Sequence, residues 1–284
     1  MGMWIKRHFS GHIDMTMIDP TALFSLSGRT ALVTGGGGHL GGAIASTLAG
    51  AGAHVYLAGR SVAPLEELQG KLRAEGAKVD IAQLDVLDSG AIEDLMARIA
   101  RETGRLDVLV NNAHSGKTGT IESAEPEDYA NAFAVSVQAV GELTKKSLDL
   151  LKLGAADKGQ ASVINISSMY GMVSPDPSIY GDTGHNSPPY YGAAKAGLLQ
   201  LTRYGAVHLA KYGVRVNAIS PGPFPKPKVA ETMPELWQTL CNKAPLGRVG
   251  QRDEIGGAAL FLASDASSYV TGINLPVDGG WTAW

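Results

Sequence analysis

The sequence predicts an α/β fold in which a doubly wound parallel sheet lies between two layers of helices. Three observations carry this. Short, almost wholly apolar runs recur from Thr30 to near the end of the chain, as suits parallel strands covered on both faces. Longer amphipathic stretches separate them, which gives βαβ units. A glycine-rich turn joins the first run to the first amphipathic stretch. Right-handed crossovers then wind such units into a sheet with helices on both faces.

In chain order, strands are expected at Thr30–Thr34, His54–Ala58, Val79–Gln83, Leu106–Asn111, Ser162–Ser167, Val214–Ser220 and Ile273–Val277. Helices are expected at Leu40–Ala51, Ala63–Ala74, Ser89–Thr103, Pro126–Leu151, Tyr190–Lys211 and Asp253–Ala263. No repeat, low-complexity tract or linker divides them, so residues 27–284 are expected to form one domain. Residues 1–26 read as a flexible N-terminal extension. They carry Lys6 and Arg7 but no continuous apolar core, unlike a secretory signal.

The chain has 284 residues, 44% hydrophobic and 18% charged, enough for an ordinary globular core. Its formal net charge of −3 shows no basic surplus, so no nucleic-acid partner is expected. No apolar run is long enough to span a membrane, and no membrane partner is expected. The lone cysteine, Cys241, cannot build a disulfide framework or a zinc site. A reducing, cytoplasmic setting is therefore expected, with no metal, and Cys241 reads as a packing residue.

The first strand runs into Thr34-Gly35-Gly36-Gly37-Gly38-His39-Leu40-Gly41 and then a helix. Such a turn lets the backbone approach a pyrophosphate, with the helix N-terminus supplying N–H donors. Gly35, Gly38, His39, Leu40 and Gly41 are therefore candidate cofactor-binding residues. At the end of the second strand, where a dinucleotide fold often has an acidic residue for the ribose, stand Arg60 and Ser61. An arginine pairs well with a 2′-phosphate, which favours NADP(H) over NAD(H).

Tyr191 and Lys195 lie four residues apart at the start of a helix, on one face. A free tyrosine is a poor base at neutral pH, and a neighbouring ammonium lowers its pKa. This pair suits proton transfer to a carbonyl oxygen or from an alcohol. Either Ser167 or Ser168, ending the fifth strand on opposite faces, could supply a hydroxyl to the reacting oxygen.

These pieces, with Asn111-Asn112-Ala113, Arg215-Val216-Asn217, Pro221-Gly222 and the tail Tyr269-Val-Thr-Gly272…Val277-Asp-Gly-Gly-Trp281, resemble the short-chain dehydrogenase/reductase family from about Ser27 to Trp281. The resemblance is to its classical, single-domain branch, with some features of the extended branch. It implies a seven-stranded Rossmann-type domain in three α/β/α layers and a homo-oligomer, dimer or tetramer. It implies adenine contacts at Asp85 and Val86, and further cofactor contacts at Asn112, Ala113, Pro221 and Gly222. It selects Ser168 as the active hydroxyl and gives Lys195 the nicotinamide ribose. Ser136 falls where the family often has an asparagine that anchors a proton-relay water.

The chain departs from the family pattern at several places. His39 and His114 stand where glycines are usual. Pro223 to Lys228 replaces a segment that commonly carries a threonine. The stretch from Met169 to Tyr190 is long and rich in tyrosine, aspartate, histidine and asparagine, which suits a polyhydroxylated or sugar-derived small-molecule substrate. The expected activity is NAD(P)-dependent hydride transfer between an alcohol and a carbonyl. A sugar-nucleotide epimerase or dehydratase is a second reading, set against the early end of the chain after Val277. A catalytically silent dinucleotide sensor is a third, set against retention of Ser168, Tyr191 and Lys195.

Overall fold

The structure, a computed structural model, describes residues 17–183 and 186–284. Seven strands are β1 (Thr30–Thr34), β2 (His54–Gly59), β3 (Val79–Gln83), β4 (Val108–Asn111), β5 (Ala161–Ile166), β6 (Val214–Pro221) and β7 (Asn274–Val277). They form one sheet in the order β3-β2-β1-β4-β5-β6-β7, every pair parallel. The strands of the middle, β1, β4, β5 and β6, are buried along their whole length, which is why they are mostly apolar. The strand order reverses between β1 and β4, and ligands of such sheets bind at the carboxyl ends beside that point.

The helices are α1 (Pro20–Phe24), α2 (His39–Gly50), α3 (Val62–Ala74), α4 (Ser89–Thr103), α5 (Pro126–Phe133), α6 (Ala139–Lys158), α7 (Pro189–Leu209), α8 (Lys228–Thr232), α9 (Pro234–Lys243) and α10 (Arg252–Ala263). One core, with Ile44 and Leu48 of α2 and Ile255 and Leu262 of α10, covers one face of the sheet. Another, with Ile92 and Ile99 of α4 and Leu143 and Leu151 of α6, covers the opposite face. This is the three-layer arrangement expected from the sequence.

Three expectations are corrected. The single helix over Pro126–Leu151 is interrupted by a π turn, Ala134–Gln138, and continues to Lys158, where left-handed Gly159 (φ 81°) ends it. Helices α8 and α9 were not expected; Pro234 pre-sets the first turn of α9. The chain is already structured before Ser27. Asp19 caps α1 through the Thr21 N–H (2.9 Å), and Leu26 is fully buried with its N–H donated to the Ala51 carbonyl (2.8 Å). Residues 1–16 of the expected extension lie outside the described residues.

Candidate active site

The site begins with the way the β1 end is tied to the β4 end. The Thr34 hydroxyl accepts the N–H groups of Asn112 (3.0 Å) and Ala113 (3.1 Å) and donates to the Val110 carbonyl (3.2 Å). The Asn112 side-chain amide donates to the carbonyls of Thr34 (3.0 Å) and Gly35 (3.3 Å). The turn is drawn so close that a Cβ on Gly41 would lie 2.2 Å from the Gly35 oxygen and 2.4 Å from the Asn112 amide nitrogen. Gly35 also needs its positive φ of 63°. Gly38 precedes α2 with no side-chain cap, so the first N–H groups of the helix are left for a ligand.

A cavity of about 730 Å³ opens at this point. Its wall unites Gly35, Gly38, His39, Leu40 and Gly41 with Arg60 and Ser61 beyond β2, Asp85 and Val86 beyond β3, and Asn112 and Ala113 beyond β4. The residues present fit a dinucleotide: the glycine cradle would be filled by any Cβ, and the buried His39 Nε2 has no hydrogen-bond partner among the described residues. Burial pushes the His39 pKa down, helped by Arg252 and Lys226 and opposed by Asp253. The exposed Arg60 guanidinium makes no hydrogen bond or ion pair with a described residue. Asp85 accepts the Leu87 N–H (3.0 Å), which shapes the turn beyond β3.

Pro221 and Gly222 do not line this cavity. Gly222 is pinned to β7 by its N–H to the Val277 carbonyl (2.9 Å), and a Cβ there would lie 2.5 Å from the Asp278 Cα. Ser136 is buried in the π turn and does not line it either. His114, Ser115 and Asn131 do, and sequence reasoning did not place them among the cofactor-binding residues.

The proton-transfer candidates come from β5 and α7. The two serines part ways as strand alternation requires. Ser167 donates to the Lys195 carbonyl (3.0 Å) and ties β5 to α7, whereas Ser168 meets the Tyr191 hydroxyl and accepts the Tyr170 N–H (3.1 Å). Two glycines allow that approach: a Cβ on Gly171 would lie 2.9 Å from the Lys195 carbonyl carbon, and one on Gly192 2.7 Å from the Tyr170 oxygen.

The Lys195 ammonium is buried, donates to the Ile166 carbonyl (2.8 Å) and lies 5.8 Å from the Tyr191 ring centre. Burial pushes its pKa down to about 8. The expectation that Lys195 draws the Tyr191 pKa down is not met in this arrangement. Burial pushes the phenol up, the Ser168 hydroxyl pulls it down, and Tyr180 adds a further upward push. The ammonium is directed at the strand carbonyl rather than at the phenol oxygen.

The described part of the long stretch after Ser168 helps form a third, smaller core. Met169, Tyr170 and Ile179 pack on Leu240, Cys241, Ala244 and Trp281, with Tyr180 and Tyr191 at the margin. Cys241 is thus a buried packing residue. An ion pair between Asp176 and Lys243 joins the loop to α9. The two halves of the site meet where the His114 ring stands edge-on to the Tyr191 ring, centroids 5.1 Å apart.

A parallel sheet with a glycine cradle at its switch point, facing a Ser-Tyr-Lys cluster, defines a nicotinamide-dependent oxidoreductase. A family model described as enoyl-(acyl carrier protein) reductase matches residues 38–282. The chain belongs to the short-chain dehydrogenase/reductase family and is an NAD(P)-dependent oxidoreductase. It is 35% identical to gluconate 5-dehydrogenase of Gluconobacter oxydans (strain 621H), over 92% of this chain and 97% of that one. Its fold superposes on the Pseudomonas aeruginosa RhlG/NADP active-site complex with a TM-score of 0.82, at 32% identity, covering 92% of this chain and 98% of the other. It is similar also to gluconate 5-dehydrogenase of Burkholderia cenocepacia J2315 in complex with NADP and tartrate (TM-score 0.81, 30% identity, 93% and 99% covered). Among the described residues, no helix is long and apolar enough to cross a membrane.

Proposed function

We propose that this enzyme is NADP(H)-preferring and interconverts a secondary alcohol and a ketone on a polyhydroxylated, sugar-derived substrate. The observation that carries the reading is the meeting of the dinucleotide cleft with Tyr191 and Ser168 at the His114 contact. Bound nicotinamide supplies or receives the hydride. Tyr191 gives its hydroxyl proton to the carbonyl oxygen in reduction and takes it back in oxidation. Ser168 donates a hydrogen bond to the same oxygen as its charge grows. Lys195 keeps a positive charge beside the developing phenolate and has N–H groups beyond the one given to Ile166 for the ribose hydroxyls.

The free guanidinium of Arg60 supports the NADP(H) preference, and His39 adds a nitrogen beside the phosphates. Gly35, Gly38, Leu40, Gly41, Ser61, Asp85, Val86, Asn112 and Ala113 complete the cofactor wall. The relatives named for gluconate, one of them holding tartrate, support a polyol or sugar-acid substrate. Exposed Tyr204 and Val207 on α7 support a homo-oligomer, and the single cysteine supports a cytoplasmic setting.

The test is reduced-cofactor absorbance across sugars, polyols, sugar acids and simple ketones, with NADP and NAD run separately. Turnover of a polyhydroxylated compound that is lost in Tyr191→Phe supports the reading. Turnover of simple ketones alone overturns its substrate half, and a faster reaction with NAD overturns its cofactor half.

A further inference from the structure

Between the cofactor cleft and Tyr191 stands one side chain that the proposed mechanism does not use. His114 follows Ala113 in the loop beyond β4 and forms part of the cavity wall. Its ring meets Tyr191 edge-on, at an interplanar angle of 67°. Gly116 leaves room for the ring, since a Cβ there would lie 3.1 Å from His114 Cε1 and 3.4 Å from Nε2. The imidazole makes no hydrogen bond with any described residue, although its neighbours Asn112 and Ala113 are firmly tied to Thr34. It is thus held by packing, and its polar atoms are free for a ligand.

The protonation state follows from the surroundings. His114 is exposed at the cavity wall, yet the protein atoms around its ring, and after them the Lys195 ammonium, push its pKa down to about 4. No carboxylate offsets this among the groups that act on it. At neutral pH the ring is uncharged, with one nitrogen donating and the other accepting. Such a group suits a neutral hydroxyl, which both donates and accepts. It gives no charge to attract a carboxylate and no proton to compete with Tyr191.

We propose that His114 is a specificity-determining residue that hydrogen-bonds a substrate hydroxyl beside the reacting carbon. The inference rests on the proposed Tyr191 chemistry and deepens its substrate half. A site built to hydrogen-bond a hydroxyl rejects the analogue that lacks it far more strongly than an apolar site rejects an extra methylene. His114 therefore sets how well the enzyme tells an α-hydroxyketone from the corresponding plain ketone.

The test uses matched pairs, 2-hydroxycyclohexanone against cyclohexanone and dihydroxyacetone against acetone, with wild type, His114→Ala and His114→Gln. In His114→Ala, kcat/KM should fall about 10- to 100-fold more for the hydroxylated member than for its partner. His114→Gln, which keeps a donor and an acceptor, should recover part of the loss. Cofactor affinity, read by quenching of protein fluorescence, should stay within about twofold. Equal losses for both members would reduce His114 to a packing residue beside Tyr191. Discrimination by wild type that survives His114→Ala overturns this inference alone. Turnover by wild type of the plain ketones only, or of neither member, overturns the polyol reading and this inference with it.

Discussion

The two halves of the site are built by different means. The proposed cofactor half offers backbone to its ligand, a glycine turn and the uncapped start of α2, held in place by the Asn112 side-chain amide. What matters there is the absence of side chains. The chemical half is made of side chains, Ser168, Tyr191, Lys195 and His114, brought in from β5, α7 and the loop beyond β4. A pyrophosphate is the same in every member of a dinucleotide-binding family, so backbone serves it. Substrates differ, and loops carrying side chains can change without disturbing the sheet.

That contrast predicts two kinds of damage. Tyr191→Phe should have the largest effect, lowering kcat/KM by about 10²- to 10⁴-fold while the cofactor dissociation constant stays within about twofold. Gly41→Ala should do the converse. Its methyl has no room against Gly35 and Asn112, so the turn must open at a cost of about 1–3 kcal/mol. Cofactor binding and thermal midpoint should fall together, as titration and calorimetry would show. If Tyr191→Phe weakened the cofactor as much as Gly41→Ala does, the two halves would not be separate.

The same contrast explains what the sequence showed. Gly35, Gly38 and Gly41 lie at a spacing that only a close backbone approach demands, and every residue expected at the ends of β1 to β4 lines one cavity. Strand alternation separated Ser167 from Ser168 correctly in kind, though only the fold shows Ser167 bonded to α7. The π turn was hidden because apolar Val135, Ala139 and Val140 continue the helical pattern through it. The helices α8 and α9 were masked by the prolines around them. The four-residue spacing of Tyr191 and Lys195 puts them on one face but cannot say which oxygen the ammonium takes. His114 gains its place only when β4 and α7 come together.

Within the cofactor half, Arg60 is an expected contact that depends on a cationic side chain. Arg60→Ala should weaken NADPH binding by about 10- to 100-fold, as loss of charge-assisted bonds to a phosphate does, and leave NADH binding nearly unchanged. Equal weakening of both would place Arg60 outside the 2′-phosphate site. Lys195 gives a pH signature to the other half. Its pKa lies below the ordinary 10.5, at about 8, so the ammonium is present below pH 8 and is lost above it. Reductive kcat/KM should therefore decline above about pH 8. The folded state binds fewer protons than the unfolded one between about 8 and 10.5, so the contribution of Lys195 to stability rises across that window. Lys195→Met should lose that rise while remaining at least as stable at neutral pH. A reductive profile flat through pH 10 would mean that Lys195 is not needed in its charged form.

The smallest effect is expected at the ion pair that joins the inserted loop to α9. Asp176 and Lys243 are both partly exposed, and the Lys243 and Ser178 bonds hold the Asp176 carboxyl down to about 2. Exposed pairs contribute little because water and salt screen them. The loop has a stronger hold in Ile179, 4% exposed, and Tyr170, which pack with Leu240 and Trp281. Asp176→Asn should therefore change KM by no more than about twofold, and cofactor affinity not at all. Steady-state kinetics at low and high salt would decide. A tenfold rise in KM in the variant, reproduced in wild type by salt, would show that charge rather than the apolar cluster sets the loop over Tyr191.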